Sequence, residues 1–151
     1  MARHRNSWGA TGLIAAAVVF GVVVAMSAQQ NPPAKQSVWD GVYSDQQASR
    51  GERQYGRACE HCHGPDLAGD PVSEIPALSL DSFMTSWSGK SVKDLLDTVK
   101  RSMPKDKPGS LGTGAYVDVV AYLLQANKFP SGSRELPRTP EELESIVIER
   151  R

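Results

Sequence analysis

Apolar residues return every three or four positions in three stretches of the chain, separated by long polar connections without such a period. In the first, Ala48, Gly51, Tyr55 and Cys59 recur at helical spacing, which puts Tyr55 and Cys59 on one face. Ser44 supplies the N-cap, Gln47 three residues later completes a capping box, and Asp45 suits the positive end of the helix dipole. Gly51 costs about 1 kcal/mol relative to alanine in a helix interior. The close approach of another backbone offsets that cost, so a helix crossing is predicted at Gly51. The second stretch follows Ser91, where Ser91-Val92-Lys93-Asp94 has capping-box form and Val92, Leu95, Leu96 and Val99 make an apolar stripe. It ends at Ser102-Met103-Pro104, because the residue before a proline is pushed out of the α region.

The third helix is predicted over 114–126, with Tyr116, Val119, Val120, Leu123 and Leu124 apolar, Asn127 as C-cap and Phe129-Pro130 as the stop. Thr139-Pro140 then opens a short fourth helix with proline at its first position, and Ile146-Val147-Ile148 reads as a short extended piece. The chain is therefore all-α, with three main helices and a short C-terminal one. The connection over 63–91 is longer than structureless loops usually are. Three helices joined this way have a thin core of their own, and an apolar group is expected at the centre.

The N-terminal 28 residues stand apart. Arg3, His4 and Arg5 form a basic start, 13–28 is an unbroken run of apolar and small residues, and Ala25, Ser27 and Ala28 offer a peptidase site. The run falls short of the ~20 residues that cross a bilayer comfortably, so a cleaved export signal is preferred over a retained membrane anchor. Either way the positive end stays inside and the remainder lies outside the cytoplasm, periplasmic or otherwise exported, or anchored facing the periplasm. The organisation expected is 1–28 signal or anchor, 29–37 polar linker, 38–130 folded domain and 131–151 C-terminal extension. The chain has 17 basic and 17 acidic residues, and losing Arg3 and Arg5 leaves a mature net charge near −2. No stripe of Lys and Arg interleaved with aromatics is present, which sets nucleic-acid binding aside.

Both cysteines and two of the three histidines fall inside Arg57–Leu67, RACEHCHGPDL. A disulfide between Cys59 and Cys62 would close only a tiny loop and stabilise little. Zinc needs a second ligand pair, yet the other histidine is His4 in the leader. A redox C-x-x-C belongs near a βαβ pattern, and this chain is helical. Cys59-Glu60-His61-Cys62-His63 has the form C-x-x-C-H, which reads as the attachment site of one covalent haem c. Two thiols three apart reach the two vinyl groups of one porphyrin, and the adjacent His63 meets the iron from the same side; His61 reads as a surface residue. A second axial ligand must then be a thioether. Met26 leaves with the leader, so Met84 and Met103 remain. Met103 is favoured because prolines 104 and 108 bracket its loop, whereas Met84 reads as core filler.

Taken together, Gly51-x-x-x-Tyr55-x-x-x-Cys59-x-x-Cys62-His63-Gly64, Pro76-x-Leu78 with Phe83 and Trp87, Ser102-Met103-Pro104 and Tyr116 to Leu124 resemble class I c-type cytochromes over 38–130. The resemblance implies the cytochrome c fold around one haem. It implies that Tyr55 and Tyr122 pack where the first and last helices cross, that the Pro76 carbonyl accepts from His63 Nδ1, and that the Trp87 indole bonds a haem propionate. Leu80 stands where many relatives have glycine, and Pro65 is the alternative acceptor. The stretches 37–64, 86–104 and 121–137 further resemble small exported cytochromes associated with quinoprotein dehydrogenases of alcohols and sugars.

The function expected is one-electron transfer by a His/Met-ligated haem, taking electrons from a periplasmic dehydrogenase and passing them to a terminal oxidase or another cytochrome, without catalysis of its own. Two alternatives stay open: a cytochrome subunit fixed in a quinoprotein dehydrogenase complex, and a haem enzyme or gas sensor with an open sixth position. Membrane association, if any, would run through 13–28.

Overall fold

Capping residues set the helix starts. The computed structural model describes residues 33–151, and the leader reading of 1–28 lies outside them. Ser44 accepts from Gln47 N at the start of α1 (Asp45–Ala58), and Ser91 and Asp94 make a full capping box at the start of α4 (Val92–Ser102). The third predicted helix is α5 (Thr113–Ala126), with Asn127 as its C-cap. The Cys-His motif itself winds into a single turn, α2 (Glu60–His63). A further helix, α3 (Leu80–Trp87), sits inside the 63–91 connection, whose length exceeds that of usual structureless loops. Its apolar positions Leu80, Phe83, Met84 and Trp87 have helical spacing, but eight residues are few for a periodic signal.

α1 and α5 cross where Gly51 predicts. A Cβ on Gly51 would lie 1.8 Å from the Asp118 carbonyl oxygen, so only glycine lets the two backbones meet. Tyr55 and Tyr122 pack at the crossing with ring centroids 5.2 Å apart. Arg50 ties the same junction, its Nε 2.9 Å from Asp118 and its Nη2 2.8 Å from Glu135. Gly51→Ala is expected to cost about 3 kcal/mol through overpacking and to lower the melting temperature by roughly 10–20 °C. Gly56→Ala, on an exposed face where the nearest atom is a movable Glu60 oxygen, should instead gain up to about 1 kcal/mol. Equal melting shifts in thermal unfolding would refute the close crossing.

The segment after α5 packs into the core. α6 (Pro140–Glu144) and the strand β2 (Ile146–Val147) follow, and Leu136, Leu143, Ile146 and Ile148 are buried. β2 pairs in parallel with β1 (Gln36–Ser37), Gln36 opposite Ile146 and Ser37 opposite Val147. Ile148 also exchanges two backbone hydrogen bonds with the turn after α3, donating to Lys90 O at 2.9 Å and accepting from Gly89 N at 2.7 Å. Gln47 does not close the capping box expected of it. Its buried amide instead clasps the Leu136 backbone, Oε1 accepting at 2.6 Å and Nε2 donating at 3.3 Å. A buried amide left without partners costs more than a missing cap gains, so the tail takes precedence over the helix end. No described helix is long and apolar enough to cross a membrane.

Candidate functional site

α1 runs out at Cys59, whose N–H still donates to Tyr55 O at 2.8 Å, and α2 carries the chain on to His63. Gly64 then takes φ +75°, a left-handed turn that a side chain would resist. Tyr55 Oη donates to Gly64 O at 2.6 Å, fixing the far end of the motif to α1. Cys59 is half-buried, Cys62 and His61 are exposed, and His63 is 6% exposed. The His63 ring is oriented by Pro76, whose carbonyl oxygen lies 3.1 Å from Nδ1. With Nδ1 donating there, Nε2 is left with its lone pair free to bind a metal. Pro65 does not take that place.

These groups face a cavity of about 590 Å³. Cys59, Cys62 and His63 form one wall, and Met103 with Leu95 and Val99 of α4 forms another. Pro76, Leu78, Phe83, Trp87, Val119 and Leu123 close the rest. All six residues expected to bind or orient haem therefore line one space: Cys59, Cys62, His63, Pro76, Trp87 and Met103. Met84 lies outside this lining and packs against the core. The cavity's volume is in the range of cofactor-sized sites, roughly 300–1,000 Å³, and native cores hold few voids larger than a water molecule. Its donor set of two thiols, one imidazole and one thioether among apolar walls fits haem c.

Burial, helped by the neighbouring Cys62, pushes the Cys59 thiol up to about 11. Among the described residues no group of three or more His, Cys, Asp or Glu side chains is placed to hold a metal ion.

The loop that supplies Pro76 is held from several sides. Leu78 N donates to Leu67 O at 2.8 Å, and Gly69 is so tightly packed that a Cβ there would meet Ile75 O at 2.4 Å. Asn127 reaches back from the end of α5, donating to Leu78 O at 3.0 Å and accepting from Leu80 N at 2.8 Å. Leu80 itself has φ +57°. Glycine adopts that left-handed conformation without the steric cost a leucine meets there, and Leu80 is largely exposed. Trp87 is half-buried, and the Lys90 ammonium sits 4.9 Å from its ring centroid.

Residues 46–123 match the family model described as cytochrome c oxidase, cbb3-type, subunit III. The match covers more than half of the 151-residue chain, and the chain belongs to this family. It therefore has a cytochrome c domain, the domain of haem electron carriers, and the helical packing described above is the cytochrome c fold. No curated protein and no solved structure matches the chain.

Proposed function

We propose that this cytochrome c-family chain is an exported carrier of single electrons, with one haem c joined through thioethers to Cys59 and Cys62 and ligated by His63 and Met103. The observation that carries the reading is the convergence of these four side chains on one apolar cavity, with His63 Nδ1 already engaged by Pro76. Bound there, haem would supply a ferric–ferrous couple, and ligation by an imidazole and a thioether would favour a high potential. The chain's own part is to orient His63 through Pro76, present Met103 from the end of α4, exclude water with Phe83, Leu95, Val99 and Leu123, and offer Trp87 to a propionate. On this reading the protein is a shuttle without catalysis of its own. Acid-acetone extraction is the test: haem should remain on the polypeptide at one per chain. Haem that extracts freely, or zinc in its place, overturns the proposal.

The leader 1–28 is assigned as an export signal, with a retained anchor as the alternative, followed by a short linker and then the haem domain, which takes in β1 at Gln36–Ser37 and the packed segment 131–151. Its placement outside the cytoplasm agrees with the usual setting of this domain. The donor proposed is a quinoprotein-type dehydrogenase of alcohols or sugars, and the acceptor a terminal oxidase or a further cytochrome. Co-purification from native extract distinguishes a free shuttle from a subunit fixed in the dehydrogenase.

Cations gather beside the Met103 loop. Lys100, Arg101, Lys105 and Lys107 are exposed, and Lys105 borders the cavity. Lys93 is less available, since its ammonium lies 2.9 Å from Asp97 and 3.8 Å from Glu144. Such a rim steers an acidic partner and raises encounter rate more than affinity. Because charges farther apart than ~10 Å are screened at 0.1 M salt, reduction by the physiological donor should slow as salt rises. Stopped-flow measurement on Lys100→Glu/Lys105→Glu should show a flatter salt profile than wild type. The same slope in both proteins would remove the rim from the docking surface.

A further inference from the structure

The stretch between α4 and α5 begins with Met103, and local turns shape its middle: Lys107 N donates to Pro104 O at 2.9 Å and Ser110 N to Lys107 O at 3.2 Å. Its two ends meet on one side chain. Tyr116 Oη donates to the carbonyl oxygen of Met103 at 2.8 Å and accepts from Leu111 N at a longer 3.4 Å. Gly109 N donates to the same Met103 oxygen at 3.3 Å, so the loop closes on that atom. Tyr116 is 1% exposed and belongs to α5, the helix locked against α1 at Gly51. A phenol carries one proton and accepting lone pairs, so it can serve both ends at once; no apolar residue of the same shape can.

We infer that Tyr116 is a positioning residue for Met103: its hydroxyl pins the backbone of the methionine to the rigid α1–α5 pair and so sets how often the loop swings the thioether out of the cavity. The inference rests on the reading of Met103 as the sixth ligand and names the group that keeps it in place. Tyr116 is not itself among the residues that line the cavity; it acts through the backbone of one that is, Met103.

The test uses the ferric holoprotein with imidazole as an added competitor for the sixth position. Tyr116→Phe keeps the ring and removes the tether. If the loop-open population rises by about tenfold, the apparent affinity for imidazole rises by the same factor. The amides of Gly109 and Leu111 should exchange with solvent faster as well. Tyr43→Phe is the control, because its buried hydroxyl donates to Phe129 O at 2.6 Å, away from the cavity. It should lose comparable thermal stability while imidazole affinity stays within about twofold of wild type. An unchanged affinity in Tyr116→Phe, or an equal rise in Tyr43→Phe, overturns the inference. A wild type without the far-red sulfur–iron band overturns the Met103 reading and this inference together. A wild-type band combined with an unchanged Tyr116→Phe affinity overturns this inference alone.

Discussion

Cys59→Ala/Cys62→Ala is expected to yield almost no holoprotein, and its polypeptide is expected to have little helix at room temperature. The cavity at the centre is about 590 Å³. At the ~24 cal/mol per Å³ measured for unfilled core space, leaving it empty costs at most about 14 kcal/mol. That upper bound is as large as the ~5–15 kcal/mol that holds a domain folded. Of the helices that frame the cavity, α1 packs closely on α5 around the Gly51 crossing, while α4 meets α5 over a smaller contact. Leu95 and Val99 of α4 and Val119 and Leu123 of α5 turn toward the cavity. The two single variants should lie between, and they should differ. Cys59 is half-buried against the core, so its loss removes packing as well as a bond, whereas Cys62 is exposed. Haem yield by pyridine haemochrome and helix content by far-ultraviolet circular dichroism measure both. A haem-free double variant with the helix content of wild type would show that the cavity is not the centre of the fold.

What could be read from the sequence was local. The boundaries of α1, α4 and α5 come from Ser44, Ser91, Pro104 and Asn127, each of which acts on its own neighbours in the chain. The C-x-x-C-H motif is local too, since five consecutive residues carry three of the groups that line the cavity. Gly51 pointed to a close approach, and composition alone does not say that α5 is the partner. What escaped depends on residues far apart in sequence. Gln47 looked like half of a capping box and clasps Leu136 instead. β1 and β2 are two residues each, too short for any periodicity, and they exist through pairing across more than a hundred positions. The partner of His63 Nδ1 came from the resemblance, because nothing near Pro76 distinguishes its carbonyl from that of Pro65. Tyr116 and Asn127 look like ordinary members of α5 and its cap, and their tethers to Met103 and Leu78 appear only when the fold brings them together.

Met103→Ala is expected to abolish the weak far-red absorption band of the ferric protein, the mark of sulfur on iron, while Met84→Ala keeps it. The two methionines are on opposite sides of one decision. Met103 lines the cavity and is held at both backbone atoms, its N–H donating to Val99 O at 2.9 Å and its carbonyl accepting from Tyr116. Met84 sits within α3, outside the lining and partly buried against the hydrophobic core. Removing Met84 should therefore cost stability, about 2–5 kcal/mol if its site cannot collapse, and leave the spectrum alone. Removing Met103 should do the reverse: a modest loss of stability, but an open coordination position. With a thioether in place only a small fraction of molecules can take an added ligand. If that fraction is ~1%, imidazole should bind Met103→Ala on the order of 100-fold more tightly than wild type. Carbon monoxide should also bind its reduced form readily, whereas wild type resists it. The opposite pattern, with the band lost in Met84→Ala and kept in Met103→Ala, would move the ligand to α3. A wild type that binds carbon monoxide as fast as the variant would return the protein to the open-iron class of haem enzymes and gas sensors.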